Sequence, residues 1–418
     1  MTARVGWMEV MTMSVLKPFA GVRPPKDLVL KVAAPPYDVV NTEEARAYAQ
    51  GNPVSFFHVS RPEIDFPPGT DEHSEPVYQK GLENLRRFMS DGTLKQDARP
   101  TYYVYRQRMG SHVQVGLVAG ASVEEYDRGL IKKHELTRKD KEDDRTHHID
   151  VLGGNDEPVF LVYQARREID ALVARVTATP PEYDFTTEDK IGHTFWVVDD
   201  ATTQELQRAF LQVPHLYVAD GHHRSAAGSR TQKLRTGRHQ DGTEHDYFLA
   251  VVFPHDQMKI MDYNRVVKDL NGHTPEQFLK ALEAHFVVEP VQDPRPGKVH
   301  EFGLYMGGTW RRLTARPSAV EESVLGVLDV NVLQKNVLDP LLGIKDPRTD
   351  KRINFVGGIR GTAELERLVN SGDYAVAFAM YPTTMDQLMA IADAGEIMPP
   401  KSTWFEPKLR SGLVLHLF

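Results

Sequence analysis

His215-Leu216-Tyr217-Val218-Ala219-Asp220-Gly221-His222-His223-Arg224 joins a short apolar run to a helical one through a single Asp-Gly step. His215 to Ala219 has the make-up of a buried strand. Asp220-Gly221 then turns directly into a helix that begins near His222 or His223. Glycine tolerates such a turn and lets a ligand approach the main chain closely. A helix start offers unpaired N–H groups and the positive end of the helix dipole, a combination suited to phosphate. Arg224 can grip two phosphate oxygens at once, and His222 and His223 add donors. Asp220 could accept a hydroxyl proton or hold Mg²⁺. The plainer alternative is a capped helix with solvent-facing histidines. Two His, one Arg and a Gly on one turn favour the anion site. Adjacent helical residues point about 100° apart, so the His222-His223 and His147-His148 pairs lack the i, i+4 spacing of helical zinc sites.

Working outward, Phe195 to Val198 reads as a strand, Ala201 to Leu211 as a helix ended by Pro214, and Tyr247 to Phe253 as a further apolar strand. Residues 101–126 alternate about Met109-Gly110-Ser111 as a β-hairpin. Ala34-Pro35-Pro36-Tyr37-Asp38 is rigid and extended; Asn41 or Thr42 then caps a helix, and 74–90 is helical. In the last third, strands are expected near 286–288, 302–305 and 374–380, with helices near 275–284, 329–338, 362–371 and 383–394. Strands and helices alternate irregularly, which predicts an α+β fold of mixed α/β layers. The expected division is a leader at 1–14 and three domains, 15–128, 129–270 and 271–418.

Two other passages concentrate charge. Ile131 to Asp150, IKKHELTRKDKEDDRTHHID, predicts a solvated helix on which residues 134, 138, 141 and 145 share one cationic face. The tail from Pro399-Pro400-Lys401-Ser402-Thr403-Trp404 to Arg410-Ser411 mixes rigid prolines, hydroxyls and cations, a plausible anion cradle. Phe355 to Gly361 is a Gly-rich turn read as structural.

The 418 residues carry a formal net charge of −8 and no cysteine. The acidic balance argues against nucleic acid as the main partner, and the absence of Cys removes disulfides and thiolate chemistry. The lack of cross-links makes a reducing cytoplasm the expected location, and no run of about 18 apolar residues marks a membrane span. No Walker A motif, dinucleotide fingerprint or nucleophile elbow is present.

The unit 195–230, with Asp220-Gly221-His222-His223-Arg224 at its turn, resembles the ParB/sulfiredoxin-like superfamily, and this version of the motif looks like the free L-serine kinases. Lys17-Pro18-Phe19, Ala34-Pro35-Pro36-Tyr37-Asp38, Lys133-His134-Glu135-Leu136-Thr137, Tyr263-Asn264-Arg265 and Pro399-Pro400-Lys401-Ser402-Thr403-Trp404-Phe405 through Lys408-Leu409-Arg410-Ser411-Gly412 extend the likeness to a large bacterial family long called a domain of unknown function. Members of it have been assigned pyrophosphate-dependent serine kinase activity. The resemblance implies a ParB/sulfiredoxin-like core and transfer of a phosphoryl group from pyrophosphate, ATP or ADP to free L-serine. It implies Mg²⁺ and no organic cofactor. Asp220 and Glu135 become the catalytic carboxylates. Gly221, His222, His223, Arg224, Lys141, Arg145, Lys401 and Arg410 become phosphate binders. Tyr37, Asp38, His134, Thr137, Ser402 and Thr403 become substrate binders. A nucleotide switch or DNA-binding protein of ParB type, and a phosphohydrolase, are the rival readings.

Overall fold

The computed structural model describes residues 14–237 and 243–418; the expected leader, but for Ser14, lies outside the described residues. The chain forms two units, one from 1–258 with 407–418 and the other from 259–406.

The first unit is built on a mixed nine-stranded sheet. In chain order its strands are β1 (Leu16–Lys17), β2 (Tyr103–Met109), β3 (His112–Ser122), β4 (Ile131–Lys132), β5 (Val159–Tyr163), β6 (Tyr183–Thr186), β7 (Ile191–Val197), β8 (Leu216–Asp220) and β9 (Tyr247–Pro254). Across the sheet they run β4-β8-β5-β9-β3-β2-β7-β6, with β1 added to β3. Every residue of β5 is buried, as befits a central strand covered on both faces. The predicted hairpin is β2–β3, whose Met109 and His112 face each other across Gly110, at φ +59°. The helices that matter here are α1 (Glu75–Ser90), α2 (Lys139–Leu152) and α3 (His222–Arg235).

The second unit carries an antiparallel six-stranded sheet. Its strands are β10 (Tyr263–Val267), β11 (Phe286–Pro290), β12 (Glu301–Met306), β13 (Thr309–Ala315), β14 (Ile353–Gly357) and β15 (Val376–Met380), in the order β11-β13-β12-β15-β10-β14. Mixed α/β layers are thus present in both units. The expected three domains give way to two units. A boundary near 128 does not exist, because β2 and β3 share one sheet with β5, β8 and β9. The second unit starts at 259 rather than 271, and the chain returns to the first unit at 407. There His416–Leu417 pairs with Gly154–Asn155.

The charged passage 131–150 also differs from a single solvated helix. Ile131–Lys132 pairs with β8, and Arg138 is extended, so the helix begins only at Lys139. His134 and Arg138 therefore precede the helix, and no face runs through 134, 138, 141 and 145. One side of α2 is buried through Asp144, Arg145, His148 and Ile149. His148 pairs with Asp156 at 2.9 Å and His147 with Glu75 at 2.7 Å. Both serve packing.

Candidate anion site at the β8–α3 turn

Three chain segments meet where β8 ends. β4 and β8 are parallel, so the segments that follow them leave the same edge of the sheet, and His134 and Glu135 arrive beside Asp220-Gly221. β5 is antiparallel to β8 with Phe160 opposite Asp220, which brings the preceding Glu157 and Pro158 to that edge. Gly221 sits at φ +92° as the residue before α3, and no side chain caps the helix. A methyl at Gly221 would lie 3.1 Å from both Cζ and Nε of Arg224. Glycine is needed here for conformation and for room.

Arg224 turns back over this glycine. One of its terminal nitrogens, Nη1, donates to the carbonyl of Pro158; the other, Nη2, lies 3.5 Å from Asp220 Oδ2 and 3.7 Å from Asp38 Oδ2. The residue is buried, 6% exposed, and its Nε meets no partner. Lys408 Nζ reaches Asp220 Oδ2 at 3.3 Å. Burial alone would raise the pKa of Asp220, but Lys408 and then Arg224 outweigh it and hold the carboxyl well below the usual carboxylate range. A carboxylate so firmly ionised is a weak proton acceptor. Its geometry suits aiming two cations rather than removing a proton.

Beneath Arg224 lies a small cavity bordered by Arg145, Asp156 and Glu157. Arg145 donates from Nε to Asp144 at 2.8 Å and lies 4.1 Å above the Tyr37 ring. Asp144 also accepts from the Tyr78 hydroxyl of α1 at 2.7 Å. Glu157 accepts from the Tyr37 amide at 3.0 Å and the Ser411 hydroxyl at 2.8 Å, while its Oε2 is buried without a partner. Burial, reinforced by Asp156, pushes the Glu157 carboxyl up to about 8. Arg61 donates to the carbonyls of Tyr37 and Val40. These bonds fix the 34–40 segment that presents Asp38 to Arg224.

On the other side of the turn, the His222 and His134 rings pack edge to face at 4.5 Å. His222 Nδ1 lies 3.8 Å from Glu135 Oε2. Burial holds both imidazoles neutral, His134 down to about 4 and His222 well below its ordinary value, with each ring's neighbours adding to or offsetting the effect. Val218's backbone approaches His134 without reaching hydrogen-bond geometry. His223 accepts from the Arg138 amide at 3.1 Å. Among the described residues, His134, Glu135 and His222 form a group whose ligand atoms all lie within 4.8 Å of one another.

The structure therefore brings together Asp220, Gly221, Arg224, Asp38, Tyr37, Arg145, His222, His134 and Glu135 from the expected residues. Thr137 instead bonds Glu142 at the start of α2, and Lys141 stands one turn before Arg145. Arg410 is committed elsewhere. It is buried against Asp189, with Thr187 at 3.2 Å, so it does not serve the cradle. Lys401, Ser402 and Thr403 belong to the second unit, where Lys401 Nζ lies 5.6 Å from the centre of the Tyr263 ring and Ser402 donates to Pro399. Lys408 and Glu157 were not anticipated. Lys408 lies two residues from Arg410 in the same cation-rich tail, and Glu157 ends an acidic pair before a fully apolar strand. As an Mg²⁺ ligand Asp220 fits poorly, because the same oxygen already faces two cations. The ion prefers one or two unshared carboxylates with waters and phosphate.

No helix among the described residues is long and apolar enough to cross a membrane. Solved structures similar to this chain include a free serine kinase in complex with AMP, at 14% identity and a TM-score of 0.33 over 71% of this chain and 92% of that one. SbnI with C-terminal truncation from Staphylococcus aureus is similar at 12% identity and a TM-score of 0.36, over 70% and 85%. A conserved hypothetical protein from Pyrococcus furiosus is similar at 13% identity and a TM-score of 0.32, over 71% and 95%. No curated protein matches. The pattern of the family described as "Protein of unknown function (DUF1015)" matches residues 16–331, well over half the chain, and the chain belongs to that family.

Proposed function

We propose that this protein is a cytoplasmic phosphotransferase that moves a phosphoryl group from pyrophosphate, or from ATP or ADP, to the hydroxyl of free L-serine. In this reading the strand–turn–helix from 195 to 230 is a ParB/sulfiredoxin-like phosphate-binding core. The observation that carries it is the uncapped start of α3 with Arg224 folded over Gly221, its Nε unpartnered and its far end facing Asp220 and Asp38.

Phosphoryl transfer depends chiefly on positioning and on cancelling charge, with little covalent work for the protein. The α3 amides and Arg224 would bind the donor's oxygens, and Lys408, held by Asp220, would lie beside the charge that develops on them. Asp220 orients the two cations. Glu135 is the carboxylate left to take the serine proton. Mg²⁺ would reach the site with the donor's phosphates rather than on Asp220.

The test is incubation of the purified protein with pyrophosphate, ATP or ADP, each with and without L-serine. Serine-dependent O-phosphoserine supports the proposal. Phosphate release that ignores serine means a hydrolase, and no turnover with any donor removes the kinase reading.

A further inference from the structure

We propose that His134, Glu135 and His222 bind one divalent transition-metal ion of the zinc class, at a site beside the Asp220–Arg224–Lys408 anion cradle. The argument begins with hydrogen bonding. An imidazole has two ring nitrogens, and a buried ring normally satisfies at least one of them. His134 is 1% exposed, and neither of its ring nitrogens has a hydrogen-bond partner. His222 is 5% exposed, and its Nε2 has none. Three orphaned nitrogens on two touching rings are otherwise a defect of the core. A metal ion would take up the one lone pair that each neutral ring offers.

The donor atoms are also gathered. One from each of the three residues lies within 4.8 Å of the others, and His222 Nδ1 stands 3.8 Å from Glu135 Oε2. Ligands at about 2.0–2.2 Å from a tetrahedral ion are about 3.4 Å apart. Closing the set therefore needs inward movement of at most about 1.4 Å for any pair, and about 0.4 Å between His222 Nδ1 and Glu135 Oε2. Glu135 supplies it from the solvent side, its side chain 46% exposed, so that a surface arm moves while the packed rings stay in place. The same arm gives the ion its way in.

The donors also choose the ion. Two imidazoles and one carboxylate suit Zn²⁺, Co²⁺ or Fe²⁺, whereas Mg²⁺ and Ca²⁺ prefer oxygen throughout. Three protein ligands leave a fourth position open for water or an oxyanion. The position in the fold supports the pairing. His134-Glu135 follows β4 and His222 follows β8, and those strands are parallel neighbours, so both arms of the site come off one sheet edge.

A Glu135 that holds the ion is not also the proton acceptor of the kinase reading, so the two roles are alternatives. The test reads metal, not turnover, and stands whether or not the protein is a serine kinase. The untagged full chain is stripped with chelator, dialysed against Zn²⁺ and analysed for bound metal, then titrated with Co²⁺ and followed by visible absorption. The proposal expects one Zn²⁺ per chain and the intense ligand-field bands of low-coordinate Co²⁺, unchanged by excess Mg²⁺. Glu135→Gln, at a half-exposed position, should weaken Zn²⁺ binding at least tenfold and alter the Co²⁺ spectrum. His222→Ala should abolish that spectrum; should it fail to fold, Glu135→Gln decides alone. A wild-type chain that keeps no Zn²⁺, a Glu135→Gln protein with wild-type affinity and spectrum, or displacement of Co²⁺ by Mg²⁺ would each overturn it.

Discussion

Replacing Gly221 by alanine isolates the geometry of the cradle from its chemistry, because it removes no charge and no donor. The backbone there is left-handed, φ +92°, and an L-residue held in that region costs about 1–2 kcal/mol. The added methyl stands 3.1 Å from Cζ and Nε of Arg224, so the guanidinium must give way by a few tenths of an ångström. It cannot do so alone, because Pro158, Asp220 and Asp38 all hold it. A hydrogen bond to a charged group contributes about 1.5–3 kcal/mol, and each 1.4 kcal/mol is tenfold in affinity. Misplacing one such bond to a bound donor should therefore weaken pyrophosphate binding by roughly ten- to a hundredfold. Urea unfolding measures the first effect and calorimetric titration with pyrophosphate the second. The decisive comparison is the double variant. If the methyl acts through Arg224, then Gly221→Ala with Arg224→Ala should lose no more donor affinity than Arg224→Ala alone. Additive losses, or a Gly221→Ala protein that binds pyrophosphate like the wild type, would refute the reasoning.

Three further outcomes follow from the same arrangement. Lys408→Met removes the cation that contributes most to keeping Asp220 ionised, so the acid limb of the pH–activity profile should move to higher pH as turnover falls; an unmoved limb would detach Lys408 from the site. Glu157 titrates near 8 in the folded chain against 4.5 as its ordinary value. Its folded pKa is raised, so its contribution to stability is complete below about pH 4.5 and is lost as pH rises through about 8. Glu157→Gln should accordingly flatten the loss of stability between those limits, measured by urea unfolding at several pH values. Arg410→Ala should lower the melting temperature by several degrees, consistent with about 1–3 kcal/mol for a charged hydrogen bond lost from a buried network, and the protein that remains folded should bind pyrophosphate as before.

The local parts of this architecture could be read from the chain, and the long-range parts could not. Leu216–Asp220 and His222–Arg235 lie within a residue or so of where the apolar run and the Asp-Gly step put them, because both depend on neighbours in sequence. The same holds for the hairpin and for the Asn41 cap, whose side chain accepts from the Glu44 amide at 2.9 Å. Asp144, Arg145 and His148 looked like solvated helix residues because their partners Tyr78, Tyr37 and Asp156 lie outside their own turn. Charge density alone cannot tell a wet face from a buried one with every group matched. Lys408 and Arg410 illustrate the limit most clearly. They are two residues apart and alike in charge, yet one meets Asp220 and the other Asp189. Tyr183–Thr186 escaped notice because four alternating residues are too few to mark a strand, and Thr309–Ala315 because its buried Trp310 and Leu313 are three apart rather than two.

The return of the chain to the first unit at Pro407 has a consequence for how the protein is made. Asp220 and Lys408 are separated by 188 positions, with the whole second unit encoded between them. At about 5–20 residues per second, a ribosome needs roughly 10–40 s to travel from one to the other. Throughout that interval the nascent first unit carries the turn, Arg224 and Asp220 but lacks its lysine and the strand that His416–Leu417 will add. Messenger damage or premature termination in the interval would release a chain that has its anion turn but not its closing cation.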